Sequence, residues 1–358
     1  MTAVRDPLGR LVDPRVSSAS PEVVDAFVEE AFAAFDRAAE GWGEADHLRV
    51  AGRVVRVRYA APELRRRFRP ALVHLADAAA ADAVDAGLTI CCWDGRATTV
   101  KLPAPPWREV DFLGDARIRG HIAGPRVATY DADGRHFQLF DRPGRRALFH
   151  VADGRTLPDW HDRSPFRPFV SLWADDESLA LLHGATVGAD GAAVVLAGGS
   201  GSGKSTTALS CLQGGMDFLG DDACLVDAAA GTVSSIYGRA KIEPDTATRL
   251  GSLDDLGGMH TDTGGATVVS PVTVTGQASL RAVLLVAVSG QSRTVVHEPL
   301  GPEEAMAALV ETLRVENKGL TPGALAALAT VVAAVPVRPL ALGTDLAQVV
   351  ATVRGVVG

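Results

Sequence analysis

Residues 192–213 read AAVVLAGGSGSGKSTTALSCLQ. An apolar run, Ala192–Ala197, is followed by a loop of glycine and serine, then by a helix-forming segment, Thr206–Gln213, which Gly214-Gly215 closes. The loop from Gly198 to Ser205 satisfies G-x-x-x-x-G-K-[ST]. A chain of this composition yields roughly 0.005 such matches by chance, and the strand-then-helix context makes the pattern more specific still. Each position has a physical reason. Glycines let successive backbone N–H groups converge on phosphate oxygens without Cβ clashes, and the helix that starts there adds unpaired donors and its positive dipole end. Lys204 supplies an ammonium for β- and γ-phosphates, and the Ser205 hydroxyl is a Mg²⁺ ligand. The motif assigns Gly198, Ser200, Gly201, Ser202, Gly203, Lys204, Ser205 and Thr206 to a nucleotide, with ATP and Mg²⁺ as the expected cofactors.

Sixteen residues beyond Ser205, after the apolar MDFLG, come Asp221 and Asp222. In phosphate-loop proteins an acidic residue at such a strand end holds Mg²⁺ directly or through water. A second carboxylate beside it can accept a proton from an attacking hydroxyl, its basicity raised by the like charge next door.

The chain has 358 residues, a formal charge of -8 and only 5% aromatic residues. The acidic balance gives no global basic field to hold nucleic acid. Only four of the 35 cationic residues are lysines (Lys101, Lys204, Lys241 and Lys318), so each stands against a strong bias toward arginine. Cys91, Cys92, Cys211 and Cys224 show no paired CxxC spacing, which argues against a disulfide framework or a structural zinc. No secretory h-region is visible, and the longest apolar stretch, about 324–335, is too short for a membrane span. The expectation is a cytoplasmic protein with no membrane partner.

Two domains are expected, 1–160 and 161–358. In the first, residues 1–18 read as a loose arm, and Ser20 before Pro21 starts a helix that carries Val24, Phe27, Ala31 and Phe35 on one face. HLRVAGRVVRVRYA (47–60) reads as one half-exposed strand, PELRRRFRPALVHL as a helix and LTICCW as a buried strand. Asp133-Gly134, Pro143-Gly144 and Asp153-Gly154, about ten residues apart, suggest a meander of antiparallel hairpins. Arg49, Arg53, Arg56 and Arg58 on the strand, with Arg65, Arg66, Arg67 and Arg69 on the helix, form either a solvated basic face or a surface for an acidic peptide. HDRSPFRP marks the passage to the second domain, where strand-like and helix-like runs alternate as in an α/β layered fold.

The stretch 181–227, LLHGATVGADGAAVVLAGGSGSGKSTTALSCLQGGMDFLGDDACLVD, resembles the catalytic domain of HPr kinase/phosphorylase and the wider HPr-kinase-like group. It has a His-Gly before the strand, the phosphate loop, a helix that ends in glycines, and an Asp-Asp. The resemblance extends over about 165–350. It implies a fold like that of phosphoenolpyruvate carboxykinase, a P-loop on a mixed sheet, joined here to an amino-terminal α+β domain. It also implies transfer of a phosphoryl group from ATP to a hydroxyl. By the same resemblance Lys204 binds phosphates, Ser205 and Asp222 hold the metal, Asp221 is the base with Asp222 supporting it, and His183 approaches the phosphates. The chain lacks the downstream Glu-x-Arg-Gly signature of bifunctional HPr kinases. Its SSIYGRAKIEPD instead carries Tyr237, Gly238, Arg239, Lys241 and Glu243, which puts phosphorolysis and HPr as substrate in doubt. Monofunctional relatives act as tailoring kinases on peptides, and homo-oligomers are frequent among them. Three readings stand: a kinase for a Ser or Thr hydroxyl of a peptide or small protein, a kinase for a small metabolite, and a non-catalytic nucleotide-binding sensor.

Overall fold

The computed structural model describes residues 4–5, 11–13, 15–82, 86–113, 116–131, 135–253, 256–261, 267–316 and 321–358. The Asp133-Gly134 turn, Lys318 and half of the 1–18 arm lie outside the described residues. The chain divides into two compact units: Met1–Arg49, Arg53–Arg69 and Asp77–His161 form one, and Val50–Gly52, Pro70–Ala76 and Asp162–Gly358 the other.

The elements of the first stretch are β1 (Val4–Arg5), β2 (Leu11–Val12), α1 (Pro21–Ala39), β3 (Glu44–Val50), β4 (Arg53–Tyr59), α2 (Pro62–Leu72), β5 (Leu88–Asp94), α3 (Gly95–Thr98), β6 (Arg126–Asp131), β7 (His136–Asp141) and β8 (Arg146–Val151). Strands β3 to β8 make one sheet in the order β3-β4-β5-β8-β7-β6. Helix α1 begins at Pro21 as expected and buries Val24, Phe27, Ala31 and Phe35 in a cluster with Trp93, Leu139 and Leu148. Two expectations need correction. The run 47–60 is two strands, because Ala51 and Gly52 both take positive φ (48° and 75°), the geometry of a two-residue hairpin turn. The antiparallel meander stops at β6-β7-β8: β8 pairs β5 in parallel, and β5 pairs β4 in parallel. Asp153-Gly154 makes no hairpin. Gly154 N–H donates to Asp94 Oδ2 at 3.0 Å, where a Cβ at 154 would sit 2.6 Å from that oxygen.

The arginine run of this unit is largely matched internally. Arg49 pairs Asp77, Arg58 pairs Asp36, Arg65 pairs Glu44 and Asp46, Arg66 pairs Glu63, and Arg69 pairs Asp46. Arg67 donates to the carbonyls of Gly154, Leu157 and Pro158.

The rest of the chain contributes α4 (Trp160–Arg163), α5 (Arg167–Asp176), β9 (Ala180–Leu182), β10 (Gly184–Ala189), β11 (Ala192–Ala197), α6 (Lys204–Gln213), β12 (Asp217–Gly220), β13 (Cys224–Asp227) and β14 (Thr232–Ser235). It continues with β15 (Ala240–Ile242), α7 (Pro244–Leu250), β16 (Gly258–Thr261), β17 (Thr267–Ser270), β18 (Gln277–Val288), β19 (Val295–Val296), α8 (Pro302–Glu316), α9 (Pro322–Ala334), β20 (Val337–Leu342) and α10 (Leu346–Val357). A nine-stranded mixed sheet runs β12-β10-β11-β18-β14-β13-β9, with β20 beside β18 and β19 beside β20. β18 pairs both β11 and β20 in parallel. A second, three-stranded sheet has the order β15-β17-β16.

Burial explains why β11 is apolar along its whole length. Val194 and Leu196 join a core with Leu209 of α6 and with Val349, Val353 and Val357 of α10. Ala193, Val195 and Ala197, on the opposite face, join a core with Leu309 of α8 and Leu328 of α9. A strand covered by helices on both faces has no solvent side, so it reads as a continuous apolar run. The apolar 324–335 stretch is helix α9, which packs on this sheet, and no helix among the described residues is long and apolar enough to cross a membrane. None of the four cysteines forms a disulfide.

Candidate functional site

At the end of β11 the chain enters a loop that only glycine can build at two points. Gly198 has φ 148°, and a Cβ there would meet Val286 O at 2.8 Å and Ser202 Oγ at 2.9 Å. Gly203, with φ 100°, caps α6, and its Cβ would meet Leu342 Cδ1 at 2.7 Å. Helix α6 then starts at Lys204, so its first-turn N–H groups are presented at the loop. Lys204 is only 7% exposed, and its Nζ donates to the carbonyls of Gly198 and Gly199, both at 2.8 Å. The ammonium is thereby held over the loop. Thr206 Oγ1 shares a 2.9 Å hydrogen bond with Thr246 Oγ1, which ties the start of α6 to α7.

Strand β12 carries the two aspartates to the same place. Ser205 Oγ donates to Asp221 Oδ1 at 3.0 Å. Asp221 is 4% exposed, and its carboxyl is pushed up to about 6, first by burial and then by the charge of Asp222, against the pull of the Ser205 hydrogen bond and of Lys204. Asp222 differs in every respect. Its backbone φ is 76°, a left-handed conformation that is strained for a residue with a Cβ. Its side chain is 42% exposed and accepts from Arg167 Nη1 at 3.1 Å and from Ser164 Oγ at 3.2 Å, with His183 Nδ1 at 3.4 Å. Burial raises its carboxyl, but Arg167 and then His183 outweigh burial and hold it below the ordinary carboxylate range.

These groups open on one cavity of about 470 Å³, lined among others by Ser200, Lys204, Ser205, Asp221, Asp222 and His183. The structure therefore brings together most of the residues expected from sequence: Gly201, Gly203 and Thr206 also line it, whereas Gly198 and Ser202 do not. One expected pairing changes. Ser205 lies against Asp221, not against Asp222, because Asp221 points back to the start of α6 while the left-handed backbone at Asp222 turns its carboxylate toward Arg167 and His183. His183, placed by resemblance near the phosphates, has Asp222 as its charged neighbour.

Sequence reasoning missed the partners that fix Asp222, namely Ser164 and Arg167, and the lining residues Arg163, Thr246 and Arg249. Arg163, Ser164 and Arg167 all belong to HDRSPFRP, a polar run just before a proline-started helix. Its charge density was the available signal.

No protein-family model matches the chain, and no curated protein matches it. Among solved structures it is similar to the Hpr(Ser) kinase/phosphatase from Coxiella burnetii, at 13% identity over 48% of this chain and 92% of that one, with a TM-score of 0.23. At that TM-score the likeness decides nothing about fold or activity.

Proposed function

We propose that the chain is an HPr-kinase-like P-loop phosphotransferase that moves the γ-phosphoryl group of ATP to a Ser or Thr hydroxyl of a peptide or small protein. The observation that carries the reading is the convergence on one cavity of a glycine-built strand-to-helix loop with Lys204 and of two aspartates in opposite environments. Pure binding of a nucleotide needs the loop and the lysine; it does not need a second, strained carboxylate held at the cavity wall.

The residues fit a Mg²⁺ ion. Ser205 Oγ and Asp221 Oδ1 are hard oxygen donors 3.0 Å apart, and burial penalises the charge on Asp221 in a way that a cation relieves. No three His, Cys, Asp or Glu converge as a metal cage among the described residues, so the protein's share is these two oxygens. That is enough, because Mg²⁺ in such sites is held by one or two protein ligands and completed by phosphates and water. When bound, the ion neutralises charge on the phosphate oxygens.

The chain's own part follows from positioning and electrostatics, which supply most of the catalysis in phosphoryl transfer. Lys204 exchanges loop carbonyls for phosphate oxygens, and the first N–H groups of α6 add fixed donors. Asp222, and not Asp221, takes the role of base, because it is the exposed member of the pair and Asp221 is committed to Ser205. Arg167, Ser164 and His183 hold it in place to orient the hydroxyl and accept its proton.

The test is γ-labelled ATP with Mg²⁺ and an extract of the source cells, split by size into macromolecular and metabolite pools, with Lys204→Ala as control. Label entering the macromolecular pool only with the wild type supports the proposal. Label in the metabolite pool makes the chain a small-molecule kinase, and none in either pool overturns transfer in favour of a sensor.

A further inference from the structure

The cations around the cavity are not equivalent. Lys204 is satisfied by loop carbonyls, and Lys241 pairs with Glu243 at 2.6 Å. Arg167, behind the site, pairs with Asp222. Arg239 also lines the cavity, and its position is different. Its one hydrogen bond runs from Nη1 to the Asp162 carbonyl at 3.0 Å, and its Nε is buried with no partner. Among the described residues no carboxylate lies within ion-pair distance of it; burial lowers its pKa, and the charge of Asp162 opposes this without outweighing it.

A partly buried guanidinium with no carboxylate in ion-pair contact is costly to keep. A purely structural clamp on the Asp162 carbonyl needs only a neutral donor, so the fold gives no reason for the charge or for the forked geometry. The backbone that presents it is fixed on both sides, after it by Ala240, which pairs with Val269 of β17, and before it by two residues. Tyr237, fully buried, donates its hydroxyl to Pro165 O at 3.0 Å, and Gly238 N–H donates to Ala71 O at 2.8 Å. A guanidinium at a cavity wall that is hydrogen-bonded only through Nη1 is a preorganised receptor for a phosphate or a carboxylate.

Its place in the site indicates which anion. The nucleotide side of the cavity is supplied by the loop, Lys204 and Ser205. Arg239 is tied instead to Asp162, two residues before the Ser164 that hydrogen-bonds Asp222. It therefore belongs to the wall where the proposed base faces the acceptor.

Building on the phosphotransferase reading, we infer that the acceptor carries an anionic group, a phosphate or a carboxylate, near the hydroxyl that is phosphorylated, and that Arg239 holds it. In a peptide this is an acidic or already phosphorylated neighbour, or a chain-terminal carboxylate. Arg239 is thus a specificity-determining residue for the acceptor.

The experiment is calorimetric titration of inorganic phosphate into the full chain already saturated with Mg²⁺ and the β,γ-imido analogue of ATP, which fills the nucleotide's own phosphate positions. The wild type binds phosphate in that state. Arg239→Gln weakens this binding at least tenfold, Arg239→Lys by an intermediate factor because it keeps the charge and loses the fork. Both variants keep their melting temperature and bind the analogue within about threefold of wild type. Failure of the analogue-loaded wild type to bind phosphate, or equal binding by Arg239→Gln, overturns the inference. So does a tenfold loss of analogue affinity in Arg239→Gln with phosphate binding intact, since Arg239 then serves the nucleotide. If the wild type does not bind the analogue, the phosphotransferase reading fails by itself. Phosphate titrated into Lys204→Ala, with and without Arg239→Gln, then decides Arg239 separately: binding that survives Lys204→Ala and is lost in the double variant supports the anion site, and any other pattern overturns it.

Discussion

Replacing Asp221 by asparagine should stabilise the nucleotide- and metal-free protein, by an amount that depends on pH. Asp221 is 4% exposed, and its carboxyl is raised from 3.8 to about 6, chiefly by burial and next by Asp222. Below pH 3.8 folded and unfolded chains both hold the proton, and the group costs nothing. Between pH 3.8 and about 6 the unfolded chain ionises first, so stability falls as pH rises through this window. Above it the folded protein bears the full penalty, a difference of about two pKa units or about 3 kcal/mol. Asparagine keeps the shape and an oxygen to accept from Ser205 Oγ, and removes both the buried charge and its repulsion with Asp222. Urea unfolding in the presence of a chelator measures the difference between the two proteins. At pH 8 the variant should be more stable by up to about 3 kcal/mol, with a melting point higher by about 6–12 °C for a domain of this size. At pH 4 the two should agree closely. A variant no more stable than wild type at pH 8, or one equally favoured at both pH values, refutes the account of Asp221 as a carboxylate whose charge the empty fold opposes.

Other outcomes follow from the same geometry. Lys204→Ala should lose most of the rise in melting temperature that MgATP gives the wild type, measured by differential scanning fluorimetry. Asp222→Asn should bind MgATP within about threefold of wild type, yet lose transfer by about 10²-fold or more in a single-turnover assay with labelled ATP. Chelating divalent ions should remove nucleotide stabilisation from the wild type and leave little further to remove from Asp221→Asn. Gly238→Ala places a Cβ 2.7 Å from His74 Nδ1, so it should cost about 1–3 kcal/mol in chemical denaturation through overpacking.

Much of the loop and its surroundings was legible in the residues. The order apolar strand, glycine loop, Lys204-Ser205, helix and Gly214 follows from local rules: φ values that only glycine takes freely, a helix that starts where its donors are unpaired, and a strand made apolar on both faces. Helix α1 was legible for a similar reason, since Pro21 and a 3.6-residue apolar period act within one element. The reading of 47–60 as one strand failed on a local fact, two consecutive positive φ values at Ala51 and Gly52. The meander read over 108–160 is present as β6-β7-β8, and fails only at Asp153-Gly154, where Gly154 N–H is taken by Asp94, 60 residues away. The parallel pairing of β8 with β5 has no turn signature in the sequence.

The sequence by itself determined that a glycine-rich G-x-x-x-x-G-K-S loop stands between a buried strand and a helix, and that two adjacent carboxylates follow it. That information is carried by glycine, lysine and aspartate at short spacing, where backbone sterics and side-chain chemistry suffice. Only the tertiary structure decided which aspartate meets which partner. Asp221 meets Ser205 across 16 residues, and Asp222 meets Arg167 and Ser164 across 55 and 58, distances over which no periodicity or spacing rule operates. Their opposite proton affinities come from burial and from those partners, quantities that exist only once the chain has packed.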